Sequence, residues 1–246
     1  IVQIEMEITI MLKIENLTKK YGEKVAVDNL SIHIKPGEIY GFIGHNGAGK
    51  TTTLKACCGI HNFDNGEIFI DGKSIKEDPI GCKQIISYIP DNPDLYDFLT
   101  GYQYIDLVAD IFKVSKEERA EKTRKYGDLF EITDSLSQAI SNYSHGMKQK
   151  VALIAALVHT PKLIIMDEPF VGLDPVSSHN LKNIMKEHCS NGGSIFFSTH
   201  VLDVAEKLCD KVAIIKNGRL IASGDMAEIK GNSSLEAVFL ELEEAK

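Results

Sequence analysis

Apolar and polar residues alternate at Leu12–Glu15 and Ser31–Ile34, the period of half-buried strands. Glu38–Ile43 is a short apolar run instead, entered through Pro36-Gly37 and leading into a glycine-rich segment. It predicts a buried strand, followed by a helix over about Lys50–Gly59 that Gly59 stops. Glu67–Ile70 reads as a further strand turning at Asp71-Gly72. From 93 to 143 the strand signals vanish and charged helical stretches such as Lys116–Glu131 take over. We read a helical lobe inserted into an α/β core, spanning about 93–158 with the helix Met147–Val158 that Ser144 caps. Leu163–Met166 and Ser194–Ser198 are short buried strands, each preceded by a helix. Val212–Lys216 and Arg219–Ser223 flank Asn217-Gly218, a strong hairpin signal. In 233–246, Leu235, Val238, Phe239 and Leu242 fall at i, i+3, i+4, i+7 and predict an amphipathic helix packed on the core.

Composition narrows the function classes. With 27 Lys and Arg against 35 Asp and Glu, the net charge is −8. That balance argues against a protein whose main task is gripping a nucleic-acid backbone, so no nucleic-acid partner is expected. No apolar run approaches the roughly 20 residues that cross a bilayer. The five cysteines match no zinc spacing, and their odd number argues against a closed disulfide framework. They are read as reduced thiols of a cytoplasmic protein. Residues 1–10 precede a more usual opening at Met11 and are read as an extension without assigned function.

The segment Gly44, His45, Asn46, Gly47, Ala48, Gly49, Lys50, Thr51 satisfies G-x-x-x-x-G-K-[ST], with Thr52 following in the helix. It also stands in the required place, after a buried strand and before a helix. The glycines let several N–H groups turn inward, where they and the helix dipole favour phosphate oxygens. Lys50 can reach the outer phosphates, and the Thr51 hydroxyl suits Mg²⁺, which prefers oxygen ligands. The motif points to a nucleoside triphosphate without choosing ATP or GTP.

LIIMDEP at 163–169 is an apolar strand ending in two carboxylates. Parallel sheets present ligands at the carboxyl ends of their strands, which places Asp167 near the Mg²⁺ and Glu168 where it can take a proton from an attacking water. His200 closes SIFFSTH, a strand expected beside that of Asp167, and can donate a hydrogen bond to a γ-phosphate. YSHGMKQK at 143–150 reads on its own as a capped amphipathic helix, although Ser144 and the Gly146 amide also offer an anion site.

Taken in order, Tyr21, the phosphate loop, a residue at 91, the segment 143–147, the acidic pair, GLDP at 172–175 and His200 resemble the ATP-binding subunit of an ABC transporter, from Leu12 to about Glu228. The resemblance implies a P-loop ATPase with a parallel-core α/β domain over 11–232, an antiparallel β lobe and an inserted helical lobe. It implies that Tyr21 stacks on adenine, which selects ATP, and that Glu168 polarises the water while His200 holds the γ-phosphate. Ser144, Gly146 and Met147 would contact ATP bound to a second subunit, with Asp174 at the seam of a head-to-tail homodimer or heterodimer. A separate transmembrane subunit, docked near Asp91–Gln103, would hold the ATPase at the inner face of the cell membrane.

Two positions depart from the family pattern. The signature reads YSHGM where LSGGQ is usual, keeping the Ser144 hydroxyl and the Gly146 amide. Asp91 stands where a glutamine is usual, so a charged ligand for Mg²⁺ replaces a neutral one. With GLDP, these variants resemble Ecs-type and related bacterial drug or peptide exporters. The alternatives are a soluble ABC ATPase acting on ribosome or DNA, which usually carries two cassettes or a coiled-coil insertion, and a non-transport P-loop NTPase in which 143–147 is only a cap.

Overall fold

The alternation at Leu12–Glu15 belongs to a longer strand than its pattern suggests. In the computed structural model, which describes residues 9–244, β1 (Leu12–Tyr21) pairs antiparallel with β2 (Lys24–Ile34), Tyr21 facing Lys24 at the turn. Register shifts between Ile14 and Lys20 break the period of two, and Asn16 and Asn29 take positive φ of 50° and 51°. Asparagine tolerates that conformation, and such bulges hide a strand from a pattern reading. Of the extension expected at 1–10, all but Thr9 and Ile10 lies outside the described residues.

Next come β3 (Ile39–Ile43), α1 (Lys50–Cys57), β4 (Asn65–Ile70), β5 (Lys73–Ser74), α2 (Pro79–Lys83) and β6 (Ile86–Ile89). The turn between β4 and β5 has positive φ at Asp71 (49°) and Gly72 (76°), the two-residue geometry that its dipeptide predicts. Helix α1 ends two residues before Gly59, whose φ is 62°. The stretch that loses strand signals holds α3 (Gly101–Ile111) and α4 (Lys116–Leu129), and α5 (His145–Leu157) follows. Helix α5 starts two residues before the predicted Met147, because Ser144 accepts from the Met147 N–H at 3.3 Å and so makes His145 the first helical residue. The chain continues through β7 (Leu163–Asp167), α6 (Pro175–Ser190), β8 (Ser194–Thr199), α7 (Leu202–Leu208), β9 (Lys211–Lys216), β10 (Arg219–Asp225), α8 (Met226–Lys230) and α9 (Leu235–Glu244).

The strands form two sheets. One has the order β2-β1-β4-β5 and is antiparallel; the other is β10-β9-β3-β8-β7-β6, parallel except for the β10 edge. Strands β3 and β7 are buried at every residue, as parallel strands covered on both faces should be. Their side chains divide by the period of two. Ile39, Ile43, Ile164 and Met166 enter a core with α3, α5, α6, α7 and α9, whereas Tyr40, Phe42, Leu163 and Ile165 enter a second core with α1 and the antiparallel sheet. This arrangement puts the carboxyl ends of β3, β7 and β8 side by side, with Asp167 opposite Ser198.

Candidate active site

The phosphate loop follows β3 directly. Gly49 caps α1 at φ 111°, and a Cβ there would meet the Ala26 carbonyl at 2.5 Å; a Cβ on Gly44 would meet the Ile215 carbonyl at 2.5 Å. Only glycine fits these two approaches. Lys50, 6% exposed, points back into the loop and donates to the carbonyls of Gly44 at 2.6 Å and His45 at 3.3 Å. The loop therefore encloses a fixed positive charge beside the amino end of a helix, a combination that recognises phosphate.

Asp167, 1% exposed at the end of β7, accepts from the Thr51 hydroxyl at 2.5 Å and from the Ser198 hydroxyl. Burial raises its pKa, these hydrogen bonds oppose the rise, and the negative charges of Asp91 and Glu168 add to it. Glu168 takes a positive φ of 47°, costly for a non-glycine residue by about 1–3 kcal/mol. Its N–H is held by the Ser198 hydroxyl at 3.1 Å and the Ser198 carbonyl at 3.2 Å. The carboxylate lies 3.0 Å from His200 Nδ1 and 3.6 Å from Lys50 Nζ, and Oε1 is buried without a hydrogen bond.

These groups share a cleft of about 430 Å³ whose walls include Tyr21, His45, Asn46, Gly47, Gly49, Lys50, Thr51, Thr52, Asp91, Asp167 and Glu168. Tyr21 stands at its edge, 47% exposed, with the Lys19 ammonium 4.9 Å from its ring centre. Gly44 and Ala48 do not line it; their carbonyls accept from the Lys50 ammonium at 2.6 Å and the Gly218 N–H at 2.9 Å. His200 follows the last residue of β8 and touches Glu168 rather than forming the cleft wall. The sequence reading missed Ser198, Asn217 and Gly218. Ser198 is a polar residue inside an apolar strand, which was its only signal.

The donors suit Mg²⁺ of a nucleotide complex. Among the described residues no group of three His, Cys, Asp or Glu side chains would hold a metal alone. Magnesium ordinarily takes one or two carboxylates and completes its shell with water and phosphate oxygens. Thr51, Asp167 and Asp91 supply oxygens on one cleft, and the pKa of Asp167, raised chiefly by burial and further by the charges of Asp91 and Glu168, marks a buried carboxylate whose charge a divalent cation would stabilise.

Ser144, Gly146, Met147 and Asp174 do not line this cleft. Asp174 caps α6 and pairs with Lys150 at 2.7 Å, which holds its carboxyl well below the usual range. A Cβ on Gly146 would meet the Gly172 carbonyl at 2.6 Å, so the 143–147 and 172–175 segments form one closely packed surface. A groove elsewhere is lined by Tyr88, Pro93, Leu95, Tyr104, Phe112 and His159, with exposed Tyr96 and Phe98 stacked 5.8 Å apart.

The family model described as ABC transporter matches residues 27–171. The ABC-type transporter ATP-binding protein EcsA of Bacillus subtilis (strain 168) is 35% identical over 237 residues, 94% of this chain and 96% of that protein. The solved structure of an ATP binding subunit of an ABC transporter superposes with a TM-score of 0.91 at 33% identity, over 95% of this chain and 100% of that one. The ATP-binding cassette MJ0796, solved as a dimer in a post-hydrolysis state bound to ADP and Pi, superposes at 0.79 with 25% identity, over 88% and 99%. The chain thus belongs to the ABC transporter family, as an ATP-binding and ATP-hydrolysing subunit.

Proposed function

We propose that two such ATPase chains close head to tail around two ATP–Mg²⁺ and, by hydrolysing them, drive a separate transmembrane subunit at the inner face of the membrane. The observation that carries this reading is the division of the site. The phosphate loop and acidic pair converge on one cleft, while Ser144, Gly146 and Asp174 sit on a surface outside it. Among the described residues no helix is long and apolar enough to cross a membrane, so the membrane-spanning part is assigned to a partner. Its place would be the groove at Pro93, Leu95 and Tyr104, beside the exposed Tyr96 and Phe98 and next to Asp91. The direction is read as export, from the resemblance to Ecs-type subunits.

In this reading Tyr21 offers a ring face to adenine, and the amides from Gly44 to Thr52 with Lys50 hold the phosphates. Thr51, Asp167 and Asp91 hold Mg²⁺, which neutralises charge on the phosphate oxygens. Glu168 orients a water and takes its proton. His200 fixes the Glu168 carboxylate through the 3.0 Å contact and reaches toward the γ-phosphate. Ser144, Gly146 and Met147 contact the γ-phosphate of the opposite chain, and Asp174 lies at the seam.

Glu168→Gln tests the reading. It should bind ATP, lose roughly 10²–10⁴-fold in phosphate release, and accumulate as a dimer in size-exclusion chromatography with ATP. Wild-type turnover in this variant would remove Glu168 from the reaction.

A further inference from the structure

Helix α9 touches the phosphate loop, and no step of the ATPase reaction uses the contact. The His45 ring packs edge-on against Phe239, with centroids 5.1 Å apart and planes at 67°. His45 Nε2 also lies 3.8 Å from the Glu243 carboxylate. The helix that carries these partners is anchored at both ends. At its start, the Leu235 N–H donates to Glu206 of α7 at 2.9 Å, and Lys230 pairs with the same carboxylate at 2.7 Å. At its end, Lys216 donates to the Glu243 carbonyl at 2.5 Å. Lys216 is the last residue of β9; Asn217 and Gly218 after it line the cleft, and the Gly218 N–H donates to the Ala48 carbonyl at 2.9 Å. Helix α9 is therefore tied to the element after His200, to the loop at His45, and to the hairpin that holds the loop at Ala48.

The His45 side chain is 68% exposed, so Phe239 and Glu243 supply the lateral contacts that restrain it. Its backbone carbonyl is one of the two acceptors that place the Lys50 ammonium. We propose that α9 braces the phosphate loop, with Phe239 a positioning residue that acts through His45 on ATP binding. A loop already held in its binding geometry loses less freedom when the phosphates arrive. The phosphates occupy the loop in the ground state and the transition state alike, so the brace acts on affinity rather than on the chemical barrier. The proposal rests on the loop holding ATP and is independent of the role given to Glu168.

The test compares His45→Ala, Phe239→Ala and the double variant in the full chain, by calorimetric ATP affinity, KM, kcat and Tm. Each single variant should raise Kd and KM about three- to tenfold, the scale of one lost ring contact, and Phe239→Ala, outside the cleft, should keep kcat within about twofold. The double variant should be no worse than Phe239→Ala alone, because the two residues act as one unit. Phe239→Tyr, which keeps the ring, should restore affinity. Phe239 also fills the core, so Phe239→Leu, which keeps apolar bulk and removes the ring, carries the test wherever Phe239→Ala lowers Tm. Unchanged ATP affinity in His45→Ala, or additive losses in the double variant, would overturn the brace. A failure of the Glu168 role would appear in kcat and leave these affinities unchanged.

Discussion

At the phosphate-loop end, Lys50 and Asp167 are buried ionisable groups held by other members of the site, and Glu168 sits in a strained backbone conformation. At the signature end, Ser144 and Asp174 cap their own helices, and Asp174 finds its counter-charge in Lys150. Burying charge is expensive unless it is paired, so the first arrangement already announces a ligand. Helix caps need none, because each satisfies amides of its own first turn. One chain thus carries a preorganised phosphate-binding cleft and a second surface whose geometry is complete as plain structure.

The sharpest way to break this comparison is Ser144→Arg. The residue is exposed and outside the cleft, so ATP affinity of the chain should be unchanged. If the surface serves the opposite chain, an arginine there would both remove a phosphate donor and obstruct closure. Turnover should fall on the order of 100-fold or more, the scale of lost transition-state donors. Loss of the cap alone costs about 1 kcal/mol, which Ser144→Ala measures as a Tm change. Turnover that survives Ser144→Arg would leave 143–147 as a cap and nothing more.

The two aspartates should also differ in how stability follows pH. Asp167 has a folded pKa above its ordinary 3.8, chiefly through burial, so the folded chain binds its proton more tightly than the unfolded chain. Its contribution to stability is most favourable at and below 3.8 and declines as pH rises through the window above that value. Asp174 is lowered by the Lys150 hydrogen bond, so its contribution is complete above 3.8 and is lost as pH falls below it. Tm of the nucleotide-free protein against pH, for Asp167→Asn and Asp174→Asn, separates them. Relative to wild type, Asp167→Asn should gain as pH rises above about 4. Asp174→Asn should lose its disadvantage in acid, since asparagine still caps a helix. The same sign for both would erase the distinction between the two ends.

How legible each end was in the sequence follows from the same physics. Strands β3 and β7 announced themselves because burial on both faces leaves an unbroken apolar run, and the glycines of the loop because nothing larger fits. Strands β1 and β2 were half hidden, since bulges at Asn16 and Asn29 shift the alternation to the other face. Ser198 could not be assigned, because its partner Asp167 is fixed by sheet register 31 residues away. The spacing of Leu235, Phe239 and Leu242 predicted a packed helix but not that its target is His45. Ser144 stood out only through the order of motifs around it, as expected of a cap.

Asp91 joins the cleft to the groove assigned to the membrane subunit, and it offers the smallest effect. Its Oδ1 accepts from the adjacent Asn92 N–H at 2.9 Å, and its charge contributes to raising the pKa of Asp167. Pro90, Pro93 and Asp94 on either side line the groove. Asp91→Gln keeps an oxygen ligand and removes one negative charge. The neighbouring carboxylates then repel each other less, but Mg²⁺ is attracted less as well. These opposed changes should leave turnover within about threefold of wild type, under 1 kcal/mol on the barrier. If Asp91 ligates Mg²⁺ as proposed, the Mg²⁺ concentration for half-maximal activity should rise, because Asp167 would remain as the one anionic ligand of that set. ATPase assays over a Mg²⁺ titration read both quantities. Complete loss of activity at saturating Mg²⁺ would instead make the Asp91 charge a working part of the phosphate-loop cleft, and not a stand-in for a neutral amide.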